Sequence, residues 1–498
     1  MQNGQTKYQE KDYELLIEEN KSLRSELMYY KQELDKLKRM IFGSRSERYI
    51  PVNDSQLALG LESETIEQKQ IETEQVTYTR QKPHKESKIN HFRAPIPAHL
   101  PREEHVIMPE GDLSEAKKIG EEITEILEYK PGKLYVKKYI RYKYVLPADG
   151  GIVIGELPSL PIPKGNAGPG LLAHLTINKF VDHLPFYRQA QMLKREGIEI
   201  AESTINGWFA ATCNLIEPLY EKLREKITSA TYLMVDETPI KVLTKDKPGS
   251  THKGYHWVYC SPLDKLVCFD YQKGRGRDGP KAFLKSYKGT IQSDGYVAYD
   301  AFENRIDIVL LACMAHARRK FDEALKNDPE GAGYVLSQMQ KLYDVECQAR
   351  ELEFSFDERK SLRIEKSLPV LNELEDWMKK RIIETLPKSS MGEALSYTLG
   401  LWNRLIRYIN DGKYEIDNNL IENSIRPVAL GRKNYLFAGS HEGAKRAAMM
   451  YSFFGTCKKN DVNPLTWLTD VLTRIPDHKA NRLEELLPGK WIKNKSAL

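Results

Sequence analysis

Three acidic residues stand out by their surroundings rather than by their type. Acids make up 70 of the 498 residues, so acid spacing alone selects nothing. Asp236 follows the apolar run Tyr232-Leu-Met-Val235, the profile of a strand buried on both faces. An ionised carboxylate at the end of such a strand is costly unless a partner or a metal compensates it. Asp294 follows Gly289-Thr-Ile-Gln-Ser293 and precedes Gly295, a turn residue. Glu422 lies in DNNLIENSIRP, where a helix puts Glu422 and Arg426 on one face. Pro427 is expected to break or kink that helix near Arg426, and the basic Gly431-Arg-Lys-Asn434 follows, bringing Arg432 and Lys433. Three hard oxygen ligands suit Mg2+ or Mn2+. A two-ion site of this kind stabilises both the attacking and the leaving oxygen in phosphoryl transfer. The competing reading makes Asp236 and Asp294 strand-end turn formers and Glu422 a surface acid.

The elements that must position these acids begin at Thr231. Short apolar strands follow one another: YLMVDETPIKV, YHWVYC and LVCFDYQ, then GTIQSDGYVAY and DIVLLACMAH. A helix-like stretch, Pro280 to Tyr287, separates the third from the fourth, which predicts a mixed α/β sheet. Strand signals then vanish for roughly 95 residues, replaced by helical spacing such as Leu371, Leu374, Met378 and Ile382. The first and fourth strands carry acids and a helix after the fifth carries the last, the order of a ribonuclease-H-like core. Residues 229–321 and 417–455 are assigned to that core, 322–416 to an all-helical insertion, and 456–498 to a C-terminal segment.

Upstream, 171–228 returns to helical periodicity. One helix over Leu184–Leu193, a turn at Gly197 and a second helix over Ala201–Thr212 predict a helix-turn-helix, with Ser203 and Thr204 near the start of the second helix. Lys133 to Tyr144 (KLYVKKYIRYKY) predicts a strand whose one face, including Lys137 and Arg141, is cationic and aromatic and suited to phosphates and bases. It belongs to a small β-containing domain at 96–160. Residues 43–95 read as a flexible basic linker. Residues 10–42 carry a heptad seam, with Asn20 at an a position, and predict a coiled coil that makes homodimers or larger assemblies. The whole is a multidomain α+β protein.

The formal net charge of +5 does not by itself demand nucleic acid. No apolar stretch is long enough to span a bilayer and none opens the chain as a signal peptide, so no membrane is expected and a reducing cytoplasm fits. Six scattered cysteines without a CxxC pair predict neither a disulfide framework nor a cysteine-rich zinc module.

Several long motifs occur in order: LKRMIFGSRSER, PAHLPREE, MVDETP around Asp236, QSDGY around Asp294, ACMAHARRKF, IENSIRPVALGRKNYLFAGS and VLTRIPDHKANRLEELLP. On these the chain resembles the transposases of the insertion sequence 66 family over nearly its whole length. The resemblance implies a DDE transposase whose ribonuclease-H-like domain is interrupted by a helical insertion, with Asp236, Asp294 and Glu422 on the motif positions of the three catalytic acids. Relatives typically carry a cysteine-based zinc module before the helix-turn-helix. No cysteine occurs here before Cys213, so no zinc is expected there. Cys313 and His316 form a CxxH pair that cannot fill a tetrahedral zinc site alone. His316 is expected to pack near the acids or to contact DNA, beside Arg318, Arg319 and Lys320. Arg275 and Arg277, in a glycine-rich loop, are further phosphate candidates.

The expectation is a protein that binds the terminal inverted repeats of its own mobile element, cleaves them with divalent metal and joins the 3′-hydroxyl to target DNA. Arg426, Arg432 and Lys433 would orient or neutralise phosphates. It would work in the bacterial cytoplasm at the nucleoid, with accessory proteins encoded by the element where these exist. Two alternatives stay open: a nuclease of the same core that cuts without joining, and a non-catalytic DNA-binding regulator descended from a transposase.

Overall fold

Segments that alternate or repeat in hydrophobicity become elements only where a partner covers their apolar face. In the computed structural model, residues 132, 134–140, 142–145, 152–154, 156–244 and 249–492 are described. The zipper at 10–42, the linker at 43–95, Arg141 and most of the 96–160 domain lie outside the described residues. The expected strand at 133–144 is reduced to β1 (Lys143–Val145), which pairs antiparallel with β2 (Ile152–Ile154). Leu134–Ile140, Lys137 among them, are exposed and form no strand. Propensity without a neighbouring strand to bond leaves an extended segment, not a sheet.

Three helices follow: α1 (Pro169–Phe180), α2 (Phe186–Arg195) and α3 (Glu202–Thr228). Gly197 ends α2 in the left-handed region at φ +79°, where the amide of Ile198 donates to the carbonyl of Leu193 at 2.9 Å. The second helix runs well beyond Thr212, through Pro218 to Thr228, because its apolar stripe continues through Ile216, Leu219, Leu223 and Ile227. Phe180 and Phe186 each pack a tilted ring against Phe209, at 5.3 and 5.4 Å between centres, with Lys179 held 3.9 Å from the centre of the Phe186 ring.

The sheet holds five strands in the order β5-β4-β3-β6-β7, built from β3 (Tyr232–Leu243), β4 (Thr251–Ser261), β5 (Leu266–Gln272), β6 (Gly289–Ser293) and β7 (Ile308–Ala312). β3, β4 and β5 are antiparallel neighbours, whereas β3, β6 and β7 run parallel. The short helix α4 (Asp278–Phe283) leads into β6, and a 3-10 turn over Val297–Phe302 leads into β7. Tyr232, Trp257, Tyr259 and Phe269 are fully buried in this core, each contributing about 1.5–3 kcal/mol by leaving water.

The interruption after β7 is helical: α5 (Met314–Ala324), α6 (Pro329–Glu351), α7 (Phe356–Leu362), α8 (Leu368–Glu384) and α9 (Ser390–Gly400). They enclose an apolar core of their own, with Leu342, Leu374, Leu395 and Trp402 at its centre. The chain then returns through α10 (Asn419–Asn434), α11 (His441–Lys459) and α12 (Pro464–Arg474). α10 continues through Pro427, contrary to the expected break. Its buried face, Ile421, Val428 and Gly431, spans both sides of the proline, and packing outweighs one missing amide hydrogen bond. α11 covers the outer edge of β5: Ser452 accepts from the amide of Phe269 at 2.7 Å, and Thr456 bonds both the amide and the carbonyl of Val267 at 3.1 Å. Hydroxyls on a helix thus satisfy an edge strand that would otherwise be open to pairing.

Candidate active site: an acid cluster at the fork of the sheet

β3 pairs with β6 only from Tyr232 to Met234, while its pairing with β4 runs on to Leu243. Past Met234 the sheet therefore forks, and Asp236 stands in the opening, opposite Val258 of β4. The strand does not end at Val235 as its apolar run implied. From Thr238 its burial alternates, the signature of a strand with one covered face. Asp294 is the residue after β6, and its Oδ1 accepts from the amide of Tyr296 at 2.9 Å, closing a tight turn. Gly295 takes φ +86° in that turn.

Glu422 lies in the first turn of α10, and the segment that leads into that helix is tied to the sheet. The hydroxyl of Tyr232 donates to the side-chain oxygen of Gln292 and accepts from the amide of Glu415 at 3.1 Å. Gln292 in turn donates to the carbonyl of Glu415 at 2.9 Å. The amide of Met314 donates to the carbonyl of Ile416 at 3.1 Å, and the amide of Asn418 to the Cys313 sulfur at 3.2 Å. The segment before α10 is thereby tied to β3, β6 and the start of α5.

Electrostatics join the three acids. Desolvation pushes the Asp236 carboxyl well above the usual carboxylate range, and the charges of Asp294, Glu237 and Glu422 push it further. Burial draws His316 below its usual value against the pull of Asp294 and Glu422, so it too lies in their field. Its Nδ1 is buried with no hydrogen-bond partner among the described residues. Among the described residues no three histidine, cysteine, aspartate or glutamate side chains are gathered closely enough to hold a metal ion. The donor set nevertheless suits a hard divalent cation: the charges that bear most on Asp236 are carboxylates, and a cation offsets that repulsion.

Glu237, next to Asp236, was not singled out by the sequence. Its side chain is 2% exposed and pairs with Arg275 at 2.6 Å. Burial raises its carboxyl, and the Arg275 bond opposes the rise. Arg275 also lies over the Tyr296 ring, 4.1 Å from its centre. Only a cationic loop after an apolar strand hinted at this pairing. Arg432 turns inward, its Nη1 2.6 Å from the carbonyl of Pro239 on β3, and burial lowers its proton affinity. Arg426 and Lys433 are exposed on α10, Arg277 at the start of α4, and Arg318, Arg319 and Lys320 along α5. Ser203 and Thr204 are exposed in the first turn of α3. Of the candidate cations, Arg275 is brought to the acids by direct contact with Glu237.

The class of site is defined by a mixed α/β fold, interrupted by helices, in which Asp236 stands just past the last parallel pair of β3 with β6 and Asp294 just past the end of β6. Residues 164–446 match the model described as Transposase IS66 family, 452–488 the IS66 C-terminal element, and 29–104 the Transposase C of IS166 homeodomain. The chain belongs to the insertion sequence 66 family of transposases. Two relatives come from Sinorhizobium fredii (strain NBRC 101917 / NGR234). Uncharacterized protein y4hP is 32% identical, with 93% of this chain and 89% of the relative covered. Uncharacterized protein y4jD is 30% identical, with 96% and 98% covered. A shorter match, 41% identical over 49 residues, joins 10% of this chain to 52% of Uncharacterized protein YuaK of Escherichia coli (strain K12). No helix among the described residues is long and apolar enough to cross a membrane.

Proposed function

We propose that the chain is a DNA transposase whose Asp236, Asp294 and Glu422 form a DDE triad on a ribonuclease-H-like core. The observation that carries this reading is that Asp236 stands on β3 where β6 parts from it, beside the end of β6 that carries Asp294, with the charges of Asp294 and Glu422 both acting on its desolvated carboxyl. The three acids would hold two Mg2+ or Mn2+ ions. When bound, such ions supply charge stabilisation for the attacking and leaving oxygens of a phosphodiester.

The chain's own residues do the rest. The fork between β3 and β6 admits a DNA strand end to the acids. Lys433 and Arg426 on α10, with Arg318, Arg319 and Lys320 on α5, neutralise phosphates on either side. Arg275 keeps the neighbouring Glu237 charge-compensated, so that the cation requirement falls on the triad. The first turn of α3 presents Ser203 and Thr204 for docking on duplex DNA, as in a helix-turn-helix. The reaction is hydrolysis at the element's end to leave a 3′-hydroxyl, then attack of that hydroxyl on target DNA. Pairing through the heptads of 10–42 would bring two ends together.

The test is replacement of Asp236 by alanine, assayed on a duplex carrying the element's terminal repeat. End binding is expected to persist while cleavage and 3′-end joining disappear in both Mg2+ and Mn2+. Undiminished joining would remove Asp236 from the mechanism, and cleavage without joining in the unmutated chain would make it a nuclease instead.

A further inference from the structure

We propose that Tyr397 is a positioning residue for Asp294: from α9, inside the helical interruption, it fixes the second acid by donating to that residue's own carbonyl. This rests on the reading of Asp294 as a member of the triad. The hydroxyl of Tyr397 lies 2.5 Å from the Asp294 carbonyl oxygen. The ladder between β6 and β7 ends at Ser293 and Ala312, so that carbonyl stands just outside the sheet and no strand partner serves it. A phenol from a residue far along the chain does so instead.

Two further contacts aim the same helical unit at this turn. A Cβ on Gly295 would stand 2.5 Å from Leu401 Cδ1, so Leu401 already rests against the turn's left-handed glycine. Arg404 pairs with Asp300 at 2.7 Å and with Glu303, gripping the 3-10 turn that follows Asp294. The turn is held from within by the amide of Tyr296 on Asp294 Oδ1 and from outside by Tyr397. Freed of the outer bond, the peptide between Asp294 and Gly295 can rotate, and the turn whose Tyr296 amide holds the carboxylate shifts with it. Partners that orient a metal-binding carboxylate commonly govern affinity by about 10- to 100-fold. A phenol that merely satisfied its own half-buried hydroxyl would leave affinity unmoved.

The experiment uses the full chain with Tyr397→Phe, which keeps the ring and removes one oxygen. Mn2+ binding is followed by calorimetry without DNA, thermal unfolding is recorded, and cleavage of the terminal repeat is measured against Mg2+ concentration. Mn2+ affinity is expected to fall about tenfold, and the Mg2+ needed for half-maximal cleavage to rise by a similar factor. The melting temperature should stay within about 2 °C of the parent. Unchanged Mn2+ affinity, whether or not the melting temperature drops, overturns the proposal. Asp236→Asn serves as the second arm. If it binds Mn2+ and cleaves like the parent, the triad reading fails and this proposal with it. If it is inactive while Tyr397→Phe matches the parent, the positioning role alone is lost.

Discussion

Arg275 reaches from the loop after β5 to Glu237, the immediate neighbour of Asp236, with Nε 2.7 Å and Nη2 2.6 Å from the same carboxylate oxygen. The pair places a second, compensated acid beside the uncompensated one. Removing the arginine would leave Glu237's charge acting on Asp236 at full strength.

Arg275→Gln is therefore expected to move the acid limb of the cleavage profile to higher pH. In the proposed site Asp236 would have to be ionised to hold a metal, and its proton affinity is already raised by burial and by Asp294. An unpaired Glu237 raises it again, so activity should fall most at low pH and recover as pH rises. Single-turnover rates between about pH 6 and 9 measure this. An unmoved limb would show that Glu237 does not act on Asp236.

Asp236→Asn should stabilise the metal-free protein at alkaline pH. A carboxyl whose folded value lies above its unfolded one favours folding while protonated, and that contribution is lost as pH rises through the folded value. The amide avoids this loss. A gain of about 1–3 °C in melting temperature is expected near pH 8, shrinking toward about pH 4. Added Mn2+ should raise the melting temperature of the parent and not that of the variant. The opposite pattern would place the cation elsewhere.

Gly295→Ala should impair the site through its backbone. A left-handed φ of +86° costs a side-chain-bearing residue about 1–2 kcal/mol, and the new methyl meets Leu401 Cδ1. Because Leu401 Cδ1 is the end of a flexible side chain, adding Leu401→Ala should restore part of the activity and none of the backbone term. Urea unfolding and cleavage rates separate the two effects. Full activity in the single variant would mean that the turn at Asp294 tolerates displacement.

Arg363→Met tests the clasp that holds the approach to α10. Arg363 is fully buried, bonded to Glu346 at 2.7 Å and to the carbonyls of Tyr408, Asp411 and Tyr414 at 2.8–2.9 Å. Burial works to raise the Glu346 carboxyl, but Arg363 and Arg359 overcome it and hold it below the usual range. A carboxyl depressed in this way lends stability above its unfolded value and loses it as pH falls through the folded one. The variant should lose about 3–5 kcal/mol at neutral pH, and the deficit should narrow in acid. A loss independent of pH would assign the effect to packing alone.

The three proposed acids stand out in the sequence because each interrupts a strong local pattern: an apolar strand before Asp236, a strand and glycine around Asp294, a helical motif around Glu422. The extents of the elements were legible only in part. β3 keeps the extent of the strand read as YLMVDETPIKV, and β4 supplies its partner as far as Leu243. α10 passes Pro427 because its buried face is paid for by the core on both sides. At 134–140, alternation produced no strand among the described residues. The contacts that orient the site, Arg275 with Glu237, Tyr397 with Asp294 and Arg363 with the 408–414 segment, join residues far apart in sequence. Such pairings leave no mark in spacing or composition, and Arg275 itself was read as a phosphate ligand.

The bond between Met314 and Ile416 brings the exit and the return of the helical interruption to one doorway. Closing a loop of roughly a hundred residues adds little more entropy than closing one half as long. Lineages of this enzyme could thus exchange or resize what lies beyond the doorway without rebuilding the sheet. Any replacement would inherit one duty, to offer a donor where the hydroxyl of Tyr397 now stands.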